Sequence, residues 1–533
     1  MTQTTGREPD GRVPSASETR LDTTPPGSRG VQVLRRPGGP QRLARLENRT
    51  HDLLARPWFA EALVALVCAV VFCWRVGRAS AWWDEAVTRD VIARPTTEIL
   101  DLTGHVDLVH AAYYLLAHAL FGSTGSFALI RMLSVVAAVI TGVLLVRLGR
   151  ELGSGRVGLA AGLLWVIAPL ASRYAQEARP YALVAMMATA ATLALVRVCR
   201  KPWLRARWAV YIACLAGLGL FNVIGLTIIS AHLCYVLATS APRVRRRWYL
   251  SAGLAVLALC PLLWFSSQQS AQVSWLPVPA LARLIGFFEA QYVVGWIVLG
   301  LVVLAFAGLG RGTHNPALAL GLTWSVVPPV VLWTISQVHP LYDWRYVFFT
   351  VPGTALALAS LATLLRARYL AVVLLVLALG GAHMQSVYRY KASGHAENLR
   401  GVAMTIEDGA QPGDAVVFLP SSRRVVKLAY PQAFDGVDDI ALAQTGEQSD
   451  SLFGVEESTE DITKALRKVT RVWVVTSNAR LGESAEEPET EKERLLYDHF
   501  RVTGVENLGT YQVLLYQRSS KEAGIVTTGS ASS

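Results

Sequence analysis

Apolar residues run along this chain in long unbroken blocks, without the alternation or one-face periodicity of a soluble fold. The blocks are residues 58–76, 126–148, 157–172, 181–199, 208–221, 223–239, 249–267, 289–309, 317–337, 346–365 and 368–385. Each approaches the length an α-helix needs to cross a bilayer, so the pattern predicts about eleven transmembrane helices. Two stretches between the first two blocks read differently. Residues 107–121 are short for a crossing, and a crossing there would reverse the side of every later loop. They are expected as a helix lying in the membrane interface, apolar face down, with 84–101 as a second one.

After residue 385 the pattern changes. Ala415–Leu419, Arg471–Thr476 and Tyr511–Tyr516 read as strands, with helical patterns between them. One of these helices opens at Ser458-Thr459-Glu460-Asp461, a variant of the capping box. Alternating helices and strands predict a small α/β domain. The fold class is therefore a mainly α polytopic membrane protein with a C-terminal extracytoplasmic α/β domain. The expected divisions are a disordered cytoplasmic tail at 1–55, a transmembrane domain at 56–388, the α/β domain at 389–518 and a disordered tail at 519–533. The first tail is rich in Gly, Pro, Ser, Thr and Arg and lacks the early apolar core of a signal peptide.

Charge sharpens this picture. The net charge is +11, yet residues 386–533 carry about −6 and the remainder about +17. Beyond the N-terminal tail, most basic residues before 386 sit in short loops between apolar blocks, which speaks against nucleic acid as their partner. Arg147/Arg150/Arg156, Arg197/Arg200/Lys201/Arg205/Arg207, Arg243/Arg245/Arg246/Arg247, Arg311 and Arg366/Arg368 fall in alternate loops. The positive-inside rule makes those loops cytoplasmic. Residues 77–125, 173–180, 268–288, 338–345 and everything after 385 then face outward. The expected location is a bacterial plasma membrane. The six cysteines lie in or beside apolar blocks, without metal-site spacing, and imply no disulfide framework.

The outer loops hold more polarity than membrane turns require. Ala81-Trp82-Trp83-Asp84-Glu85 places two carboxylates behind a tryptophan pair, a residue type that prefers the headgroup level. Asp107 and His110 share a helix face by their i, i+3 spacing. Ser172-Arg173-Tyr174-Ala175-Gln176-Glu177-Ala178-Arg179-Pro180-Tyr181 offers a basic, hydrogen-bonding wall. His339-Pro340-Leu341-Tyr342-Asp343-Trp344-Arg345-Tyr346 places a guanidinium at the mouth of a span, where it can hold a phosphate bidentately. Each also has a structural reading, as a solvated loop, a helix cap, a self-satisfied turn or a snorkelling anchor.

Taken together in this order, these four pieces resemble the GT-C membrane glycosyltransferases. The group is family 39, which includes protein O-mannosyltransferases and the lipid A aminoarabinose transferase. The likeness spans roughly residues 58–385. The resemblance implies transfer of a sugar, mannose or another hexose or pentose, from a polyprenyl phosphate to an acceptor hydroxyl on the outer side, with inversion. It implies Asp84 as base, and Glu85 and Asp107 as candidates for orienting sugar or acceptor. Arg345 is expected to clamp the leaving phosphate. His110, Arg173, Tyr174, Glu177, Arg179 and Tyr346 complete the expected substrate wall. No cofactor is implied, and a divalent metal stays open. Relatives usually read Asp-x-His-Pro-Pro where this chain has Ala111-Ala112 after His110, which leaves glycolipid, wall polymer and protein acceptors all open. Two rivals from other classes are a transporter or flippase of lipid-linked sugar and a carbohydrate-binding scaffold. No internal repeat or paired broken helices favour the transporter.

Overall fold

A computed structural model describes residues 57–122, 125–269, 276–292, 315–362, 365–390, 397–477 and 491–519. The tail expected at 1–55, nearly all of that at 519–533, and the span at 289–309 beyond residue 292 lie outside these residues. The membrane part is a bundle of apolar helices. Those used below are α1 (Pro57–Cys73), α2 (Trp83–Ala93), α3 (Thr96–His105), α4 (Ala111–Phe121), α5 (Phe127–Leu152), α6 (Gly155–Ile167), α7 (Pro169–Ala175) and α8 (Tyr181–Arg200).

The count of about eleven crossings is not confirmed. Among the described residues six helices are long and apolar enough to cross a membrane, or seven if one bent pair counts as a span. The pair is α6 and α7, bent by 66°. Pro169 has no amide to donate to the preceding turn, and it holds Ala168 in an extended conformation. The blocks at 58–76 and 223–239 form only short apolar helices. Where α5 and α6 cross, Gly149 and Gly158 meet backbone to backbone, and a Cβ on either would collide with the other helix.

The interfacial segments are also more broken than expected. Residues 84–101 form two helices, α2 and α3, because Pro95 interrupts the run after Arg94. Asp107 stands outside any helix, in the left-handed region at φ 59°. A single 3-10 turn, Leu108–His110, separates it from α4.

The loops sort into two sets. The Arg-rich loops meet one another: Glu61 bridges Arg147 and Arg150 at 2.7 and 2.8 Å, and Glu151 pairs with Arg197 at 2.7 Å. The loops that carry the candidate chemistry meet at the other set of helix ends. Arg389, just past the last apolar helix, donates to the carbonyls of Val71 and Trp74 at 2.8 Å each. Those are carbonyls that the end of α1 leaves without helical partners. This tie brings the chain after 388 alongside residues 74–83.

The C-terminal region is α/β, as expected. Its five-stranded sheet runs β2-β1-β5-β7-β6, with β1 (Ala415–Phe418) parallel to β2 (Asp438–Asp439) and β5 (Arg471–Ser477). β7 (Tyr511–Arg518) is antiparallel to β5 and to β6 (Phe500–Leu508), its hairpin partner across Gly509. A separate short pair joins β3 (Leu442–Gln444) and β4 (Val455–Glu456). Ser458 caps the helix Thr459–Leu466 through the Asp461 amide.

The main sheet is covered on both faces, which explains the unbroken apolar runs of its central strands. Ala415, Val417, Val472 and Val474 pack against Ile462, Leu466 and Leu496. Val416, Phe418, Trp473, Val475 and Val513 share one core with Ala86, Val87, Val91 and Ile92 of α2 and with Tyr113 and Tyr114 of α4. The boundary expected near 388 is therefore not a break in packing. The sheet rests on the outer-loop helices and completes their core.

Candidate active site

Asp84 lies in the first turn of α2, following Trp82 in extended conformation. Its Oδ2 is 3.1 Å from Nη1 of Arg345 and 3.6 Å from Nε of Arg179. The carboxylate is about one-fifth exposed, at 21%. Arg345 is aimed by Asp343, whose Oδ1 accepts both its backbone amide, at 3.0 Å, and its Nε, at 3.1 Å. The Arg345 guanidinium also lies over the Trp82 ring, 5.2 Å from its centroid.

Beside Arg345 opens a cavity of about 180 Å³, lined by Trp82, Arg173, Tyr174, Glu177, Arg283, Asp343, Trp344 and Arg345. Three guanidiniums face it, and two carboxylates hold them. Arg283 pairs with Asp343 at 3.0 Å, and Arg173 with Glu177 at 3.3 Å. Tyr174 packs on Phe348 at 4.5 Å between ring centroids. An anion with several oxygens fits this arrangement of planar forks. Arg173, Tyr174, Glu177 and Arg345, all expected from sequence, thus share one cavity. Tyr346 lies outside its lining and packs toward Tyr181, at 6.4 Å.

Arg179 forms a second, buried hub. Its Nη1 reaches the hydroxyls of Tyr114 and Thr88 at 3.3 Å each, and its Nη2 lies 2.7 Å from Nε2 of His110. A guanidinium only donates, so Nε2 must accept and the ring hydrogen sits on Nδ1. His110 is buried, and burial together with the charges of Arg179 and Arg345 holds it well below its ordinary pKa. It is a neutral imidazole. Asp107 accepts the Tyr114 hydroxyl at 2.9 Å, and burial raises its carboxyl above the usual range. Asp107 and His110 do converge, but through Tyr114 and Arg179 rather than through a shared helix face.

Glu85 occupies a different place from the one expected. It has no exposed surface. Arg131 of α5 holds it bidentately, at 2.7 and 2.6 Å, and the Ala178 amide donates to the same carboxylate at 2.8 Å. The same guanidinium donates to the carbonyls of Val76 and Ala79. Adjacent helical positions diverge by about 100°, so when Asp84 faces Arg345 Glu85 must face the bundle. The pair locks α2 and the 173–181 turn onto α5.

Several residues of the site were not evident from sequence. Asp343 and Arg283 form part of the cavity wall, and Glu397 accepts the Trp83 amide at 2.6 Å. Asp343 had one legible signal, a helix-capping position before Arg345. Glu397 had none, because its place depends on the tie between Arg389 and α1. Among the described residues no three His, Cys, Asp or Glu side chains group as a metal site.

Helix bundle, outer-loop helices and cavity together define a polytopic membrane protein with a guanidinium-lined cavity at one set of its helix ends. Residues 107–265, which include Asp107, His110 and the Arg173–Tyr181 turn, match the family model described as dolichyl-phosphate-mannose-protein mannosyltransferase. The fold is similar to that of ArnT from Cupriavidus metallidurans in the apo state, at 13% identity and a TM-score of 0.56. The likeness covers 85% of this chain and 97% of that one. The same protein bound to undecaprenyl phosphate gives a TM-score of 0.54 at 13% identity, over 85% and 97% of the two chains. Compared by sequence with curated proteins, the chain has no match. Residues 107–265 thus resemble that mannosyltransferase family, and the chain as a whole shares the fold of ArnT.

Proposed function

We propose that this protein moves a sugar from a polyprenyl phosphate to an acceptor hydroxyl, with inversion at the anomeric carbon, on the extracytoplasmic face of the membrane. One observation carries the reading: the Asp84 carboxylate lies 3.1 Å from Arg345, whose guanidinium borders a cavity walled by two more. A base beside an anion clamp at a membrane edge is what transfer from a lipid phosphate needs. Undecaprenyl phosphate, the lipid bound in one ArnT structure, supports that donor class.

In this reading the donor phosphate lies against Arg345, Arg173 and Arg283. The acceptor oxygen attacks the anomeric carbon from the face opposite the phosphate, and its proton passes to Asp84. The bond from anomeric carbon to phosphate oxygen breaks, and the arginines hold the charge that builds on the departing polyprenyl phosphate. Proton acceptance by a positioned side chain contributes roughly 10²–10⁴-fold. Arg179, His110 and Tyr114 fix the far side of Asp84 so that the carboxylate keeps its aim. The loops with few arginines face outward in this topology, and the C-terminal region covers the acceptor side. The test is incubation of the purified protein with a panel of polyprenyl phosphate sugars. One member should be consumed with release of polyprenyl phosphate; consumption of none would sink the reading.

A further inference from the structure

Trp83, the residue before Asp84, belongs to a second polar cluster that takes no part in the arginine-lined cavity. Glu397 accepts its backbone amide at 2.6 Å. The Arg423 guanidinium lies 6.0 Å from its ring centroid and 4.7 Å from that of Tyr511, which is fully buried beneath. Phe453 supports the Trp83 ring edge-on at 5.2 Å. Trp83, Asp84, Glu397 and Arg423 are all half-buried, so each keeps some surface open. Nε of Arg423 is buried with no hydrogen-bond partner among the described residues. Its neighbour Arg424 is spent on the fold, paired with Asp439 at 2.6 Å and Glu456 at 3.3 Å.

We propose that the cluster of Trp83, Glu397 and Arg423 is an acceptor subsite that takes a neutral sugar ring. The proposal rests on the reading of Asp84 as base and deepens it. Asp84 pairs with Arg345 of the arginine-lined cavity and follows Trp83 of this cluster in the first turn of α2, and in this proposal it stands between the two. A displacement with inversion needs that order, since the leaving phosphate and the attacking hydroxyl approach one carbon from opposite faces. The chemistry of the cluster selects the ligand class. A sugar ring has an apolar C–H face for an aromatic ring and hydroxyls that both donate and accept. Trp83 supplies the aromatic face, Arg423 donors and Glu397 an acceptor. An anionic polymer is disfavoured at the cluster itself, because Glu397 offsets the charge of Arg423 and Asp84 is already matched by Arg345 and Arg179. A peptide main chain finds the Trp83 amide already taken by Glu397.

The experiment is saturation-transfer NMR on the purified full-length protein with a panel of uncharged hexose and pentose oligosaccharides. Peptide and anionic glycan panels run beside it, and undecaprenyl phosphate binding is measured on every variant. The wild type should bind at least one uncharged saccharide. Loss of a hydrogen bond to a charged group predicts that Arg423→Ala and Glu397→Gln weaken that binding about 10-fold or more, with undecaprenyl phosphate binding retained. Retained lipid binding also reports that the variant is folded, and Arg423→Ala carries the test if Glu397→Gln loses its fold. The subsite is overturned if Arg423→Ala binds the saccharide like wild type, or if only peptides or anionic glycans bind, or if no saccharide binds at all. Failure of undecaprenyl phosphate to bind the wild type would instead refute the donor reading, and the saccharide arm would still decide the subsite.

Discussion

At the scale of single residues, two adjacent carboxylates have opposite employment. Asp84 keeps an open edge toward Arg345, while Glu85 is sealed against Arg131. Removing one partner of a buried ion pair leaves the other charge stranded, at a cost of about 3–5 kcal/mol. Glu85→Gln and Arg131→Met should each destabilise the folded protein by that order, and the double variant by clearly less than the sum. Unfolding in detergent measures all three, and simple additivity would show that the pair does not act as a unit. His110 makes a separate prediction. Its native pKa lies below the value of about 6.5 that it takes in an unfolded chain. The unfolded state therefore binds the proton first as pH falls, and stability is lost below pH 6.5 and recovered above it. Gln at 110 can still accept from Arg179 but never titrates. Between pH 8 and pH 5 the wild type should lose up to about 2 kcal/mol relative to His110→Gln. Parallel melting curves for the two proteins would contradict a neutral buried imidazole.

At the scale of elements, prolines and packing decided what the apolar pattern left open. The blocks at 126–148, 181–199, 317–337 and 368–385 appear as helices close to their expected bounds, because twenty apolar residues in sequence admit little else. Strands β1, β5 and β7 were legible from their branched apolar runs. Strand β6 was not, since Phe500–Leu508 is an edge strand with exposed polar residues and no buried face to impose alternation. The site was legible where chemistry clustered in sequence, as in Arg173–Tyr181, and hidden where it came from afar, as at Glu397. The docking of the sheet on α2 was equally hidden, because Val87 and Val91 read as a membrane-facing stripe. It has a direct consequence. Ending the chain after Lys391 would strip the cover from that stripe and remove Glu397 from the start of α2. Such a protein should aggregate or become protease-sensitive around α2. A monodisperse truncated protein with wild-type melting behaviour would show that the sheet is an independent module.

For the whole molecule, the two sets of loops give the account its direction. The arginine-rich loops gather at one set of helix ends and the candidate site at the other, and the outward-facing site we propose follows from the positive-inside rule. A reporter fused after Ser533 should be active only outside the cytoplasm, and cytoplasmic activity would reverse the topology. The central claim is that Asp84 takes the acceptor proton beside an arginine-held phosphate. Its most direct measurement compares wild type with Asp84→Asn, using the donor that the wild type consumes and following both donor binding and single-turnover transfer. Donor affinity should survive, because Arg345, Arg173 and Arg283 remain, while the transfer rate should fall roughly 10²–10⁴-fold. An Asp84→Asn protein that binds donor and keeps more than about a tenth of the wild-type rate would contradict the account, since general base catalysis contributes far more than that.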